Sequence, residues 1–393
     1  MAGARGVRRQ VPLHPEIEVW STTAPRTDVV VAPARRTVEK GPLLIVRVHA
    51  RAPRDVWRAV LADDPRALPE HTPEWVDAIC AAGPFTNATR LYEFSDGRRF
   101  VLPLVRRTGP GGAIGQLWSL PRSWGPGGLI GPHLDPDIVR SVVDDLASLR
   151  AVRVVVRPDP LREEWQKVAA HPKVHASPRR AHVLDLAEGL DGVRARLPAL
   201  TRRNLRTAER LGVRVEVDRD GSLLPVYHRL YDLSVERWAA KQNEPVALAR
   251  WRGTRRDPVG KFDVIAKHMG EAFRHYVAYD GSTPAAAIIV LFGRTASYAR
   301  GAMDRDVAAR VRANDLLQWV AIQDASAAGC TYYHLHETGE SQSLARFKER
   351  LGAVSVEYCD YRIERFPVTK VDTALRSVVK KAIGFRDTDN SAR

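Results

Sequence analysis

Tyr92-Glu93-Phe94-Ser95-Asp96-Gly97 leads into the apolar run Phe100-Val101-Leu102-Pro103-Leu104-Val105, and the same order returns at Tyr276-Val277-Ala278-Tyr279-Asp280-Gly281 with Ala285-Ala286-Ala287-Ile288-Ile289-Val290-Leu291-Phe292. Each stretch reads as a strand, a tight Asp-Gly turn and a second strand. In both copies a further strand is expected, around Leu117-Trp118-Ser119 and around Ser297-Tyr298-Ala299. A helix comes next, Asp137 to Leu149 in the first copy and Asn314 to Ala328 in the second, and then a short strand, Val152 to Val156 and Tyr332 to Leu335. One Asp-Gly hairpin arises easily by chance, whereas an ordered set of matching elements occurring twice does not. The pattern predicts an α+β protein made of two tandem copies of one unit, with mixed, mainly antiparallel sheets flanked by helices.

Upstream of the first copy, residues 1–40 mix Arg, Pro and Thr without a sustained period and read as an extended or partly disordered arm. Folding is expected to begin near Leu43-Leu44-Ile45-Val46. Pro53 opens a helix through Val56, Trp57, Val60 and Leu61, and Thr72 caps a second with Pro73 at its first position. Between the copies lie a strand over 181–186, a long helical pattern over 189–211 rich in arginine, Gly212 as its stop, a strand at Val213 to Val217 and a helix from Leu223 to about Lys241. Residues 245–260, with Trp251, Arg252, Arg255 and Arg256, read as a mobile basic loop. The expected organisation is thus an arm (1–40), a first unit (41–187), a second unit (188–366) and a basic tail (367–393). Within the tail, Leu375, Val378, Val379 and Ile383 beside Arg376, Lys380 and Lys381 suit an amphipathic helix, either docked on its own domain or touching a membrane or tRNA.

The 393 residues, 44% of them hydrophobic, suit a globular protein of two to three domains rather than a disordered or fibrous chain. No apolar run approaches the roughly 18 residues of a membrane span, and the first residues lack an apolar segment behind their charges, so a cytoplasmic protein is expected. Cys80, Cys330 and Cys359 are far apart, without metal-ligand spacing. A formal charge of +15 would attract polyanions such as tRNA, a nucleotide-linked substrate or an anionic head group. The excess is carried mostly by arginine and is partly compositional.

Two further segments bear on chemistry. Arg346-Phe347-Lys348-Glu349-Arg350-Leu351-Gly352-Ala353 resembles the FK-x-x-x-G-A ending of the Fem-like and BioF2-like branch of the GNAT acyltransferase superfamily. Thr201-Arg202-Arg203-Asn204-Leu205-Arg206-Thr207-Ala208-Glu209-Arg210-Leu211-Gly212-Val213 resembles the R-R-N-I-R-K-A-x-x-x-G-V signature that opens the second unit in the same branch. The two motifs bracket about 150 residues, and the repeat extends the likeness over roughly 45–365. The resemblance implies two GNAT-like domains and an activity that forms amides on primary amines.

It also implies site residues. Lys348 takes the place of the lysine thought to assist acyl transfer, with Phe347 packed beside it; a cation in a partly dry site stabilises an oxyanion. The competing reading of the same residues is an amphipathic helix with Leu344, Phe347 and Leu351 inward and Lys348 solvated. Glu337 and Glu340 stand where a base would take the proton of an attacking amine, although Glu340 or Ser341 equally suits a helix cap. Arg202, Arg203 and Arg206, with Tyr298, are the expected substrate-binding set, because guanidinium forks match phosphate oxygens. His334 and His336 share a strand face but lack a third ligand at suitable spacing, so no metal is expected.

The donor stays open. CoA-dependent GNAT enzymes usually carry a glycine-rich Q/R-x-x-G-x-G/A loop at a helix start, whereas residues 305–317 here contain no glycine. Arg310, Arg312, Asn314 and Asp315 remain the expected donor-binding residues, for an acyl-CoA or an aminoacyl-tRNA as co-substrate and no tightly bound cofactor. The glycine-rich Trp124 to Gly131 reads as a turn, and the first unit, lacking an FK motif, as a recognition partner. The expected function is transfer of an acyl group to a primary amine of a small molecule or an envelope precursor. The alternative is a non-catalytic protein that binds RNA or an anionic precursor. Oligomeric state cannot be read from the chain.

Overall fold

The computed structural model describes residues 44–108, 115–339 and 341–364. The expected arm (1–40), the helix expected in the basic tail (367–393) and Glu340 lie outside the described residues.

The first half begins with β1 (Ile45–His49), α1 (Arg54–Asp63) and α2 (Pro73–Ala82), separated by a 3-10 turn over Pro69–His71. The Thr72 hydroxyl caps α2 by accepting from the Trp75 amide. Then come β2 (Phe85–Asn87), β3 (Arg90–Phe94), β4 (Arg99–Leu102), β5 (Val105–Arg107), β6 (Gln116–Trp118), α3 (Pro136–Ser148), β7 (Arg153–Val156) and the long β8 (Val174–Asp185). The second half runs through α4 (Gly189–Arg196), α5 (Ala199–Arg210), β9 (Arg214–Asp218), α6 (Leu224–Gln242), α7 (Val246–Arg256) and α8 (Lys261–Met269). It continues with β10 (Phe273–Asp280), β11 (Thr283–Phe292), β12 (Ala296–Met303), α9 (Arg305–Val311), α10 (Ala313–Ala327), β13 (Tyr332–Glu337), α11 (Gln342–Glu349) and β14 (Val354–Glu364).

The duplication is visible in the pairing. β3 and β4 form an antiparallel hairpin, as do β10 and β11. Gly97 and Gly281 take positive φ at the two turns, as Asp-Gly hairpins require. β6 runs parallel to β7, as β12 does to β13. The other ladders among the described residues are antiparallel. The fold is therefore α+β, with two copies of one unit in tandem.

Three local expectations are corrected. The apolar run 100–105 is broken at Pro103, which has no N–H to give a ladder; β4 stays in a three-stranded sheet with β1 and β3, while β5 enters the large sheet. The helical pattern over 189–211 divides at Leu197-Pro198 into α4 and α5. Residues 246–256 are the helix α7 rather than a loop, packed on α6 through buried Ala249 and Gly253.

The eleven-stranded sheet has the order β2-β5-β6-β7-β14-β8-β13-β12-β11-β10-β9. Its centre is an exchange of strands. β8, the last strand of the first half, pairs with β13 of the second, and β14, the last strand of the second half, pairs with β7 of the first. β8 and β14 also pair with each other from Val183↔Val354 to Val174↔Ile363. Each half thus covers the edge that the other would leave unpaired. Among the described residues no helix is long and apolar enough to cross a membrane.

Candidate functional site

β12 and β13 are paired only at Ala296↔Tyr333 and Ser297↔His334, near their starts. Beyond these registers the parallel strands part, and a cleft opens between residues 298–303 of one and 335–339 of the other. Three adjoining cavities of about 440, 740 and 1020 Å³ share walls along this cleft. Such a crevice at the carboxyl ends of parallel strands is where open sheets bind ligands.

Lys348 stands beside the opening. Helix α11 starts at Ser341, whose hydroxyl accepts from the Leu344 amide, and it buries Ala345 and Lys348 rather than Leu344. The amphipathic alternative with a solvated lysine is therefore not what forms: the Lys348 side is 2% exposed and Leu344 is exposed. Lys348 Nζ donates to the carbonyls of His336 at 2.9 Å and Glu337 at 3.0 Å and to Thr338 Oγ1 at 3.0 Å. An ammonium has three hydrogens, so all are spent on this turn. Burial pulls the lysine down to about 7, against the pull of Glu337. The Thr338 hydroxyl in turn lies 2.7 Å from Nδ1 of His182, a histidine on β8 that burial and the Lys348 charge keep neutral.

The turn held by Lys348 is strained. His336 has φ +57, and β13 bulges there, since His334 pairs with Val183 but His336 with the next residue, His182. A left-handed histidine costs on the order of 1–3 kcal/mol and is kept only where its surroundings demand it. Here the bulge turns His336 toward the first half: Nε2 is 3.2 Å from Oε1 of Glu70, in the 3-10 turn before α2. The Ser297 hydroxyl donates to the same oxygen and also contacts His336. Glu70 is 1% exposed, and burial opposes its charge. Hydrogen bonds from His336 and Ser297 outweigh that cost and hold the carboxyl below its ordinary range, so it is ionised.

Neutral His71 fixes the Glu70 turn, accepting from the Leu68 amide and donating from Nε2 to Gly127 O at 3.0 Å. Gly125 lies against Glu70 with φ +82, where a Cβ would come within 2.8 Å of Glu70 Cγ. The glycine-rich turn is thus part of the cavity wall, through Trp124, Gly125 and Pro126.

The far wall is tied together by Asp257. It accepts from Lys261 at 2.8 Å and from Arg256, Arg300 and the Tyr231 hydroxyl at 3.2 Å each. Burial works against this carboxylate, yet Arg300 and Lys261 keep it well below the usual range. Lys261, pulled down to about 7 by burial and by Arg300, also donates to Ser123 O at 2.9 Å, as does Arg300 at 3.0 Å, joining the second half to the first.

At the other end the cleft is basic. Arg237, Lys241, Arg305, Arg312 and Arg350 line the cavity of about 740 Å³, with Asn314 and Asp315, at the N-terminus of α10. In place of a glycine-rich loop, Asp304 caps the short α9, and Arg312 adopts φ +61 between the two helices.

The sequence-predicted residues divide accordingly. Lys348, Phe347, Glu337 and Tyr298 line the largest cavity, and Arg312, Asn314 and Asp315 the basic one. Glu337 is also ion-paired to Arg179 at 3.4 Å. Arg310 is exposed and paired with Asp280, away from the cleft wall. Arg203 and Arg206 are exposed on α5, and Arg202 donates to the Leu197 carbonyl; none lines the cleft. The inward residues of that motif are Thr201, bonded to Arg350 O at 2.8 Å, and Asn204, bonded to Asp315 at 2.8 Å. They bind α5 to the ends of α11 and α10. Glu70, Ser297, Arg237, Asp257 and Lys261 were not anticipated, since no periodicity marks them; a buried carboxylate preceding a Thr-Pro helix start is visible only once its partners are. Among the described residues no group of three or more His, Cys, Asp or Glu is arranged to hold a metal.

Residues 198–349 match the family model described as acetyltransferase (GNAT) domain. The chain carries a GNAT domain. That domain contains the cleft floor, α10 and Lys348. The chain is similar in fold to FemX, at 12% identity and TM-score 0.57, covering 80% of this chain and 97% of that one. It is likewise similar to a conserved protein of unknown function from Bacteroides thetaiotaomicron, at 7% identity and TM-score 0.50, covering 82% and 100%. A tandem GNAT protein from the clavulanic acid biosynthesis pathway matches at 14% identity and TM-score 0.44, covering 81% and 97%. No curated protein matches the chain by sequence.

Proposed function

We propose that the protein is an N-acyltransferase that moves an acyl group from a phosphate-bearing carrier to a primary amine. The reading rests on one arrangement, a continuous cleft with a five-cation pocket at the α10 N-terminus, Lys348 in the wall of the largest cavity and an aromatic-lined cavity beyond. Helix N-termini and guanidinium groups suit phosphates, and both an acyl-CoA and an aminoacyl-tRNA offer them. FemX, whose fold is shared, belongs with the Fem-like reading of the Phe347-Lys348 motif. Direct attack by the amine on the acyl carbon is the economical route. Lys348, with its hydrogens committed to the turn, serves by holding residues 336–338 in place and by its charge, and Phe347 packs beside the carrier pocket. Glu337 flanks the same turn.

Purified protein, incubated with amines and either acyl-CoA or aminoacyl-tRNA, separates the carriers. Amide product that needs the thioester and survives ribonuclease assigns CoA; product lost on ribonuclease treatment assigns tRNA. No product with either carrier over a broad amine panel overturns acyl transfer and leaves the binding-protein reading.

A further inference from the structure

The cavity of about 440 Å³ on the Glu70 side of the cleft lies apart from the basic pocket at the α10 N-terminus, and its walls have a definite chemistry. Trp75, Trp124, Tyr231, Trp238, Phe262 and Tyr358 supply flat apolar surface. Its cations are matched from behind: Asp257 holds Arg256, Lys261 and Arg300, and Asp360 takes Arg157 at 2.8 Å. Glu70 is different. Oε1 is taken by Ser297 and His336, but Oε2, buried, has no hydrogen-bond partner among the described residues. A buried ionised oxygen without a partner is costly unless a ligand donates to it. His336 contacts Glu70 through Nε2 and lines this cavity as well as the one containing Lys348.

We propose that this cavity takes the acyl acceptor, an aromatic or arylalkyl primary amine in its ammonium form, with Glu70 reading the charge and His336 removing the proton. The inference rests on the acyl-transfer reading above. Aromatic walls favour a flat ring and add cation–π attraction for the ammonium. Glu70 accepts the Nε2–H of His336, which fixes the tautomer and leaves the Nδ1 lone pair as the base. One proton passes from R–NH3+ to His336 Nδ1 and on to solvent. The freed lone pair forms the N–C bond to the acyl carbon; as the tetrahedral adduct collapses, the bond to the carrier breaks. The second N–H proton leaves with the departing thiolate or alkoxide, so the sum is amide, protonated carrier and one released proton.

Calorimetric titration of the full chain with tryptamine, tryptophol and 1,6-diaminohexane tests this without a donor. Tryptamine is expected to bind roughly ten-fold or more tighter than tryptophol, its neutral counterpart, and than the ringless diamine. Glu70→Gln should erase the first difference and Trp124→Ala the second, with Trp124→Leu standing in if the alanine variant does not fold. Equal binding of tryptamine and tryptophol by the unaltered protein, or persistence of either difference in its variant, overturns the acceptor assignment. His336→Asn should lower amide formation by about a hundred-fold or more while tryptamine affinity stays within about two-fold. Undiminished turnover overturns the base. Were no carrier to support turnover, the binding differences would still report on the cavity, so failure of the acyl-transfer reading shows separately.

Discussion

Lys348 Nζ donates at 2.9 Å to the carbonyl of His336, so a buried lysine on α11 holds in place a histidine with left-handed backbone on β13. The lysine of the motif and the couple His336–Glu70 thus belong to one bonded network, reaching from the second half into the first.

Removing that hold should affect turnover more than folding. Lys348→Met leaves two carbonyls and Thr338 without their donor, a loss of about 1–3 kcal/mol in stability. Turnover is expected to fall by about a hundred-fold or more, because a site misplaced by about 1 Å loses that much. Thermal unfolding and single-turnover kinetics measure the two; full activity in the variant would remove Lys348 from the mechanism.

Stability should depend on pH in a direction set by the buried lysines. Lys348 and Lys261 are both pulled from the ordinary lysine value to about 7 on folding, so above pH 7 the unfolded chain binds more protons than the folded one. Stability therefore rises with pH from about 7, by up to about 1.4 kcal/mol per pH unit for each lysine. Urea unfolding between about pH 7 and 8.5 reads the slope, below the range where the raised thiols of Cys80 and Cys330 act in the opposite sense. Lys348→Met should lose about half of the slope due to the pair; an unchanged slope contradicts its buried titration.

Asp257 offers a test of the wall that joins the halves. It holds exposed Arg256, part-buried Arg300 and buried Lys261, so Asp257→Asn leaves the Lys261 ammonium without its buried partner and is expected to cost about 3–5 kcal/mol. Equilibrium unfolding checks this, and a change under about 1 kcal/mol would mean the cations find water instead.

The basic pocket and the basic helix should separate kinetically. Arg312→Glu and Arg350→Glu, in the cavity wall, are expected to raise KM for the carrier roughly ten-fold or more, with steeper effects at low salt. Arg203→Glu and Arg206→Glu, exposed on α5, should change it by about two-fold at most. The opposite order would return the carrier to α5.

The exchange of β8 and β14 predicts that neither half folds alone. A chain of residues 42–187 would leave β8 unpaired and β7 with one edge open, and 188–364 would leave β14 unpaired and β13 with one edge open. Separately expressed halves should be aggregated or unfolded, whereas co-expressed halves should copurify; a soluble, cooperatively unfolding half would contradict the exchange.

Much of the scaffold was legible from residue pattern. The Asp-Gly hairpins, the Thr72-Pro73 helix start and the stretch ending in Phe347-Lys348 are local, short-range signals whose turn chemistry or spacing works wherever they occur. Pro103 and Pro198 carried a local signal that the longer apolar and helical periods obscured. The placement of the α5 arginines was not legible because composition shows charge but not direction: in that motif Thr201 and Asn204 face inward and the guanidinium groups do not line the cleft.

By itself, the order of residues determined two α+β units, their element types and the motif lysine, because hydrophobic period and turn chemistry act over a few residues. Only the tertiary structure decided that the units exchange their last strands, that Lys348 is buried and fully bonded, and that Glu70, some 266 residues before His336, meets it. These contacts depend on long-range strand pairing and on burial, which set which polar groups lose water and must find one another.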